Sequence, residues 1–244
     1  MSARVLSSVL AVTLGLGPAH AIDARIDQVS PHMGEMVVTM GSGQRPVDDT
    51  LRFEPYQMVD DLFLRDDYVL VMRHGPTDWS KLDEENVAPG DCANQRVLSE
   101  TGQDAMRNLG TLMAANGLYP AQIVVSEWCR NQQTVEHLLR GMEVVDASVR
   151  ERIPLETDAE LNLLLSLQGA ADVTGLRERV ETWTGSNGAG PLLLITHFTN
   201  IEELTTFTVF EGEMLMVDPQ RDGRVLGYLR LQSARPDIGH FNVR

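Results

Sequence analysis

Three uninterrupted apolar runs stand out along the chain: residues 68–72, 123–125 and 192–195. Each has strand length, and an unbroken apolar run marks a strand buried on both faces. Helical patterns separate them. Ser99 can cap a helix reaching Asn116, with Met106, Leu109 and Met113 at helical spacing and Gly117 as its stop. A second helix carries Val135, Leu138 and Leu139 and is expected to stop at Gly141, with a third strand over 142–145. Residues 172–183 read as helical through Val173, Leu176, Val180 and Trp183, and another helix is expected from Thr199. The style then changes: residues 213–217 and 225–231 flank Asp222-Gly223, a hairpin signal. Alternating strands and helices predict an α/β three-layer sandwich with a mainly parallel central sheet, to which the hairpin adds an antiparallel edge. The region before residue 67 is less regular. Residues 36–40 can form a strand entering a turn at Gly41-Ser42-Gly43, and Leu62-Phe63-Leu64, between pairs of aspartates, makes a short helical or loop approach.

The first 21 residues follow a different logic. Arg4 precedes an apolar stretch over 5–17, and Ala19 and Ala21 give the small-x-small pattern of a signal-peptide cleavage site. Thirteen residues at about 1.5 Å each reach roughly 20 Å, short of a hydrocarbon core of about 30 Å, so a membrane anchor is disfavoured. The expected organisation is a signal peptide over 1–21, an N-terminal extension over 22–66 and a main domain over 67–244, the product being periplasmic or secreted with no integral membrane segment after cleavage. Composition adds one constraint. The 244 residues carry a net charge of −15, which disfavours nucleic acid as a partner. A small anionic substrate would need a locally positive site.

Such a site can be located. In an α/β sheet, ligands gather at the carboxyl ends of the strands. The first apolar run leads into Arg73-His74-Gly75-Pro76-Thr77, the second into Ser126 with Arg130 opening the next helix, and the late one into Thr196-His197. Two arginines and two histidines thus converge on one sheet edge. Arginine forks pair with phosphate oxygens bidentately, a helix N-terminus adds N–H donors, and a neutral imidazole can attack phosphorus.

In these residues the chain resembles the histidine phosphatase superfamily, which includes the phosphoglycerate mutases and acid phosphatases. Arg73-His74-Gly75 with Thr77 is similar to the family signature, and Ser126, Arg130, Gln133 and Thr134 match its second motif in spacing. Leu98-Ser99 with Gly102 and Leu109-Gly110 resembles the helix before that motif, Thr196-His197 the late histidine, and Gly212-Glu213-Met214 the closing segment. The resemblance covers about 67–231 and implies a phosphoglycerate mutase-like fold. It implies His74 as a nucleophile that becomes phosphohistidine, with Arg73, Arg130 and His197 holding the phosphate and Thr77 lining the pocket or bracing the loop. It implies no metal and no organic cofactor. The expected activity is an exported phosphatase acting on a phosphorylated small molecule or envelope sugar. The rival is a catalytically silent member that binds a phosphorylated ligand.

The chain departs from the family at the proton donor. One branch has Asp directly after the late histidine, where this chain has Phe198. Another has Glu in the segment after the second motif, a position that falls on Leu163. Asp78, Asp91, Glu127, Glu160 and Glu202 are nearby carboxylates with ordinary structural readings. His137, two turns beyond Arg130, is expected on a helix surface, and Trp128 is expected to pack beneath the loop. Asp91-Cys92 with Gln95-Arg96, together with Trp128-Cys129-Arg130, resembles an exported bacterial subgroup. For Cys92 and Cys129 two alternatives stand, a disulfide at the rim of the site or two separate buried thiols. The loop over 77–98 should lie above the strand ends near Arg130, where a bridge would hold it.

Overall fold

A computed structural model describes residues 25–29, 35–39, 47–54, 58–186 and 188–237. The expected signal peptide, the Gly41-Ser42-Gly43 turn and His20, His32 and His240 lie outside the described residues.

The sheet is mixed. Its parallel centre comprises β4 (Val69–Arg73), β7 (Leu192–Thr196), β5 (Gln122–Val125) and β6 (Leu155–Thr157). The other half is antiparallel: β8 (Met214–Asp218) pairs with β4, β9 (Arg224–Leu231) with β8, and β3 (Leu51–Glu54) with β9. Two further strands, β1 (Arg25–Val29) and β2 (Glu35–Thr39), continue that edge. The strand order is β1-β2-β3-β9-β8-β4-β7-β5-β6.

The unbroken apolar runs find their explanation in two cores, one on each face. Leu70, Met72, Ile123, Val125, Leu193 and Ile195 face α2 (Glu100–Ala115) and α3 (Cys129–Glu143). Their sequence neighbours Val69, Val71, Val124, Leu192 and Leu194 face α5 (Thr174–Glu181) and α6 (Phe198–Thr205). Alternate side chains point to opposite faces. Covering both faces with helices therefore requires every position to be apolar, and the result is the three layers expected. Ser99 caps α2 by accepting from the Gly102 backbone N–H at 3.0 Å. A short helix, α1 (Met58–Leu64), occupies the approach to β4, and α4 (Val149–Arg152) follows α3.

Three expectations are corrected. Gly141 does not end α3, which runs on to Glu143. It is a contact glycine: a Cβ there would lie 2.0 Å from the Arg107 carbonyl oxygen of α2, so the two helices touch backbone to backbone. The strand expected over 142–145 is accordingly helix and turn, and the fourth parallel strand is β6, whose three residues are too short and too exposed to show a period. The terminal hairpin is not an edge. It lies inside the sheet between β4 and β3, and β3 adds Leu51 and Phe53 to the core. Among the described residues no helix is long and apolar enough to cross a membrane.

Candidate active site

Arg73 is the last residue of β4, His74 follows it, Ser126 follows β5 and His197 caps α6 directly after β7. Parallel pairing puts Arg73 opposite Thr196. The His74 N–H donates to the Thr196 carbonyl at 3.1 Å, and the Ser126 N–H to the Ile195 carbonyl at 3.0 Å. Three strand ends are thereby fixed to one another. Arg73, His74, Arg130 and His197 are all buried. The two imidazoles lie edge to face with centroids 5.7 Å apart, Trp128 stands 5.9 Å from His197, and the Arg130 guanidinium lies 4.7 Å from the Trp128 ring centre.

The loop after His74 is held from several sides. The Gly75 N–H donates to Thr134 Oγ1 at 2.8 Å, and Thr134 in turn donates to the Arg130 carbonyl. Gly102 lets the start of α2 close on the same loop, because a Cβ there would be 1.9 Å from the Pro76 carbonyl oxygen. His74 Nδ1 lies 3.0 Å from the Gly75 carbonyl oxygen. A carbonyl can only accept, so Nδ1 carries the hydrogen and Nε2 keeps its lone pair. Burial, then the charges of Arg130, Arg73, His197 and Arg96, hold the His74 pKa well below the ordinary histidine value. The ring is therefore neutral at pH 7, as a nucleophile requires.

The tautomer of His197 is fixed by a chain of partners. Asn162 Nδ2 donates to Glu127 at 2.8 Å, and its Oδ1 accepts from the Glu127 N–H at 3.0 Å and from the Ser126 hydroxyl at 2.8 Å. With its one hydrogen spent, Ser126 accepts from His197 Nε2 at 3.1 Å. His197 Nδ1 is left buried without a partner among the described residues, as are the Nε atoms of Arg73 and Arg130. Burial, then Arg130, Arg73 and Arg96, also holds the His197 pKa well below its ordinary value. Buried unpaired donors are costly, and an oxyanion is the natural acceptor for two guanidinium N–H groups beside an imidazole.

The arginines of the site have local counter-charges. Three arginines are present, but so are three carboxylates. Arg73 donates to Asp237 through Nη1 at 3.0 Å and Nη2 at 2.7 Å, and to the Val209 carbonyl. Arg130 Nη1 lies 3.1 Å from both oxygens of Asp83. Arg96 donates to Thr77 Oγ1 at 2.6 Å, lies 3.4 Å from Glu211 and stacks 3.7 Å over the Trp79 ring. Burial pushes the Arg130 pKa down to about 10, so it stays cationic at neutral pH. Thr77 braces the loop: its hydroxyl and backbone N–H both donate to Glu211, at 2.6 and 3.2 Å.

Asp83, Glu211 and Asp237 were not found by sequence reasoning, and Arg96 entered it only through the subgroup resemblance. Glu211 adjoins the Gly212-Glu213-Met214 segment and could have been flagged there. Asp83 and Asp237 sit in irregular segments with no pattern around them. Of the carboxylates named from sequence, Asp78 accepts from Ser80, Asp91 from Asn94 and Glu127 from Asn162, all structural contacts. His137 is not on the surface as expected. It is 9% exposed, and burial lowers its pKa.

The loop over 77–98 does cover the strand ends. Cys92 and Cys129 are bridged, with Cα atoms 5.5 Å apart. Gln95 reinforces the bridge by donating to the Ala88 and Pro89 carbonyls and accepting from the Cys129 N–H at 3.2 Å. A cavity of about 410 Å³ adjoins this region on the α2 side, lined by Trp79, Met106, Glu211 and Asp237 among others.

No known family's sequence model matches the chain, and no curated protein matches it. Solved structures do. The protein histidine phosphatase SixA complexed with tungstate is 18% identical, over 67% of this chain and 96% of that one, with a TM-score of 0.48. A mycobacterial glucosyl-3-phosphoglycerate phosphatase is 14% identical over 71% and 100%, with a TM-score of 0.43. The ecdysone phosphate phosphatase of Bombix mori in complex with tungstate is 12% identical over 70% and 94%, with a TM-score of 0.44. At such distances the chemistry of the site has to be read from its own residues.

Proposed function

We propose that the protein is a histidine phosphatase, a phosphoric monoester hydrolase working through a phosphohistidine on His74. One observation carries this reading: a neutral imidazole with a free Nε2 lone pair, fixed by the Gly75 carbonyl, lies in a buried cluster with Arg73, Arg130 and His197. His74 Nε2 attacks phosphorus, the leaving group departs on the opposite side, and water then takes the phosphoryl group to give inorganic phosphate. Arg73, Arg130 and His197 stabilise the charge on the oxygens, and Thr77 supports the loop through Glu211. None of these steps uses a metal or an organic cofactor. The substrate is a phosphorylated small molecule, an envelope phospho-sugar being one class suited to an exported enzyme. The expected leader over 1–21 and the Cys92–Cys129 bridge support a periplasmic or secreted location, since disulfides persist in oxidising compartments.

A screen of phosphorylated compounds with the mature protein and with His74→Ala tests the reading. Phosphate release that His74→Ala abolishes supports it. Binding of phosphorylated ligands without release would instead establish the silent, ligand-binding alternative.

A further inference from the structure

We infer that Asp83 is the proton donor to the leaving group, the role that Phe198 and Leu163 leave unfilled. The inference rests on the phosphohistidine reading above. Three carboxylates reach the arginines of the site, and two are committed elsewhere. Glu211 accepts from the Thr77 N–H, the Thr77 hydroxyl and the Trp79 ring N–H, and its side chain is 5% exposed. Asp237 accepts from both terminal nitrogens of Arg73 and is 4% exposed. A donor must be reprotonated in each cycle, which needs a route to solvent. Asp83 has one, with its side chain 24% exposed.

Its placement also fits. Asp83 lies on the loop that the disulfide holds over the strand ends. The Arg96 backbone N–H donates to its Oδ1 at 2.7 Å, which fixes the carboxyl group against Arg130 Nη1. Arg130 and Arg96 are the charged residues that contact it. A phosphoryl group held by Arg130 would bring its oxygens to the guanidinium that Asp83 shares.

The step balances. The His74 Nε2–P bond forms as the P–O bond to the leaving group breaks, and that oxygen takes the Asp83 proton and departs as the alcohol. Asp83 carboxylate then accepts a proton from water as the water oxygen bonds phosphorus and the N–P bond breaks. Inorganic phosphate is released and Asp83 is protonated again.

The test compares para-nitrophenyl phosphate, whose leaving group is a stable anion, with an alkyl phosphate, whose leaving group needs a proton. The quantity read is kcat/KM, which reports formation of the phosphohistidine, normalised to the amount of His74 that can be phosphorylated. That normalisation corrects for any misfolded fraction. Asp83→Asn should lower kcat/KM for the alkyl ester about a hundredfold or more, and for the nitrophenyl ester less than about tenfold. It should also show a burst of nitrophenol, because the second step loses its base. Equal losses on both esters, no loss on either, or a wild-type protein that cleaves only the nitrophenyl ester would overturn the assignment. If neither ester leaves phosphate on His74 of the wild-type protein, the phosphatase reading fails instead.

Discussion

Each histidine of the site is assigned a state by hydrogen bonds that leave no choice of direction. His74 is neutral with its lone pair on Nε2, because the Gly75 carbonyl takes the Nδ1 hydrogen. His197 is neutral with its hydrogen on Nε2, because Ser126 has already given its own hydrogen to Asn162. For His197 Nδ1 to bond a phosphate oxygen, the ring must gain a second proton. Anion binding should therefore convert His197 to imidazolium at neutral pH while His74 stays neutral. Nitrogen chemical shifts of labelled histidines, with and without orthovanadate, read both rings; a His197 that stays neutral in the complex contradicts this. The proposed phosphate contacts make a second prediction. Arg73→Ala, Arg130→Ala and His197→Ala should each lower turnover about a hundredfold or more, the scale of a transition-state donor. Near-wild-type rates in steady-state assays of all three would place the phosphate elsewhere. That His74, Arg73, Arg130 and His197 come together was legible because each ends an apolar run or opens a helix. The carboxylates opposite them were not, since Asp83 and Asp237 reach the arginines from irregular segments and by contacts distant in sequence.

At the scale of elements, legibility followed burial. β4, β5, β7, α2 and the hairpin are bounded by caps and turns that act locally, such as Ser99 on α2 and Asp222 and Gly223 at positive φ between β8 and β9. The end of α3 was misjudged because Gly141 serves the contact with α2, a tertiary demand invisible in local pattern. Gly141→Ala should destabilise the protein by about 1 to 3 kcal/mol through overpacking, despite alanine's better helix propensity. A denaturant midpoint equal to wild type would show that the helices separate freely. The Cys92–Cys129 bridge closes a separation of 37 residues, which in the chain-entropy model contributes about 3 to 4 kcal/mol. Cys92→Ser/Cys129→Ser should lose about that much stability in denaturant titration, and also activity, because Asp83 and Arg96 ride on the bridged loop. Full activity in the double variant would mean that the loop needs no bridge to hold its shape.

For the whole molecule, the −15 net charge and the site answer different demands. The net charge is a property of the whole chain, whereas the buried arginines meet their counter-charges locally in Asp83, Glu211 and Asp237. Burying neutral histidines links stability to pH. His74 and His197 have folded-state pKa values below the unfolded value of about 6.5, so below that pH the unfolded chain binds more protons. Stability is present above about 6.5 and is lost as pH falls below it. Melting temperature should decline between pH 7 and pH 5, and less steeply in His74→Gln/His197→Gln; equal slopes would mean the two rings do not set the decline. The claim on which the rest depends is that His74 takes the phosphoryl group. It is tested most directly by mixing the protein with a radiolabelled phosphate ester that it cleaves, quenching, and mapping the label. The predicted result is an acid-labile, base-stable adduct on the peptide containing His74, absent in His74→Ala. Turnover without any such adduct, or a label on another residue, would contradict it.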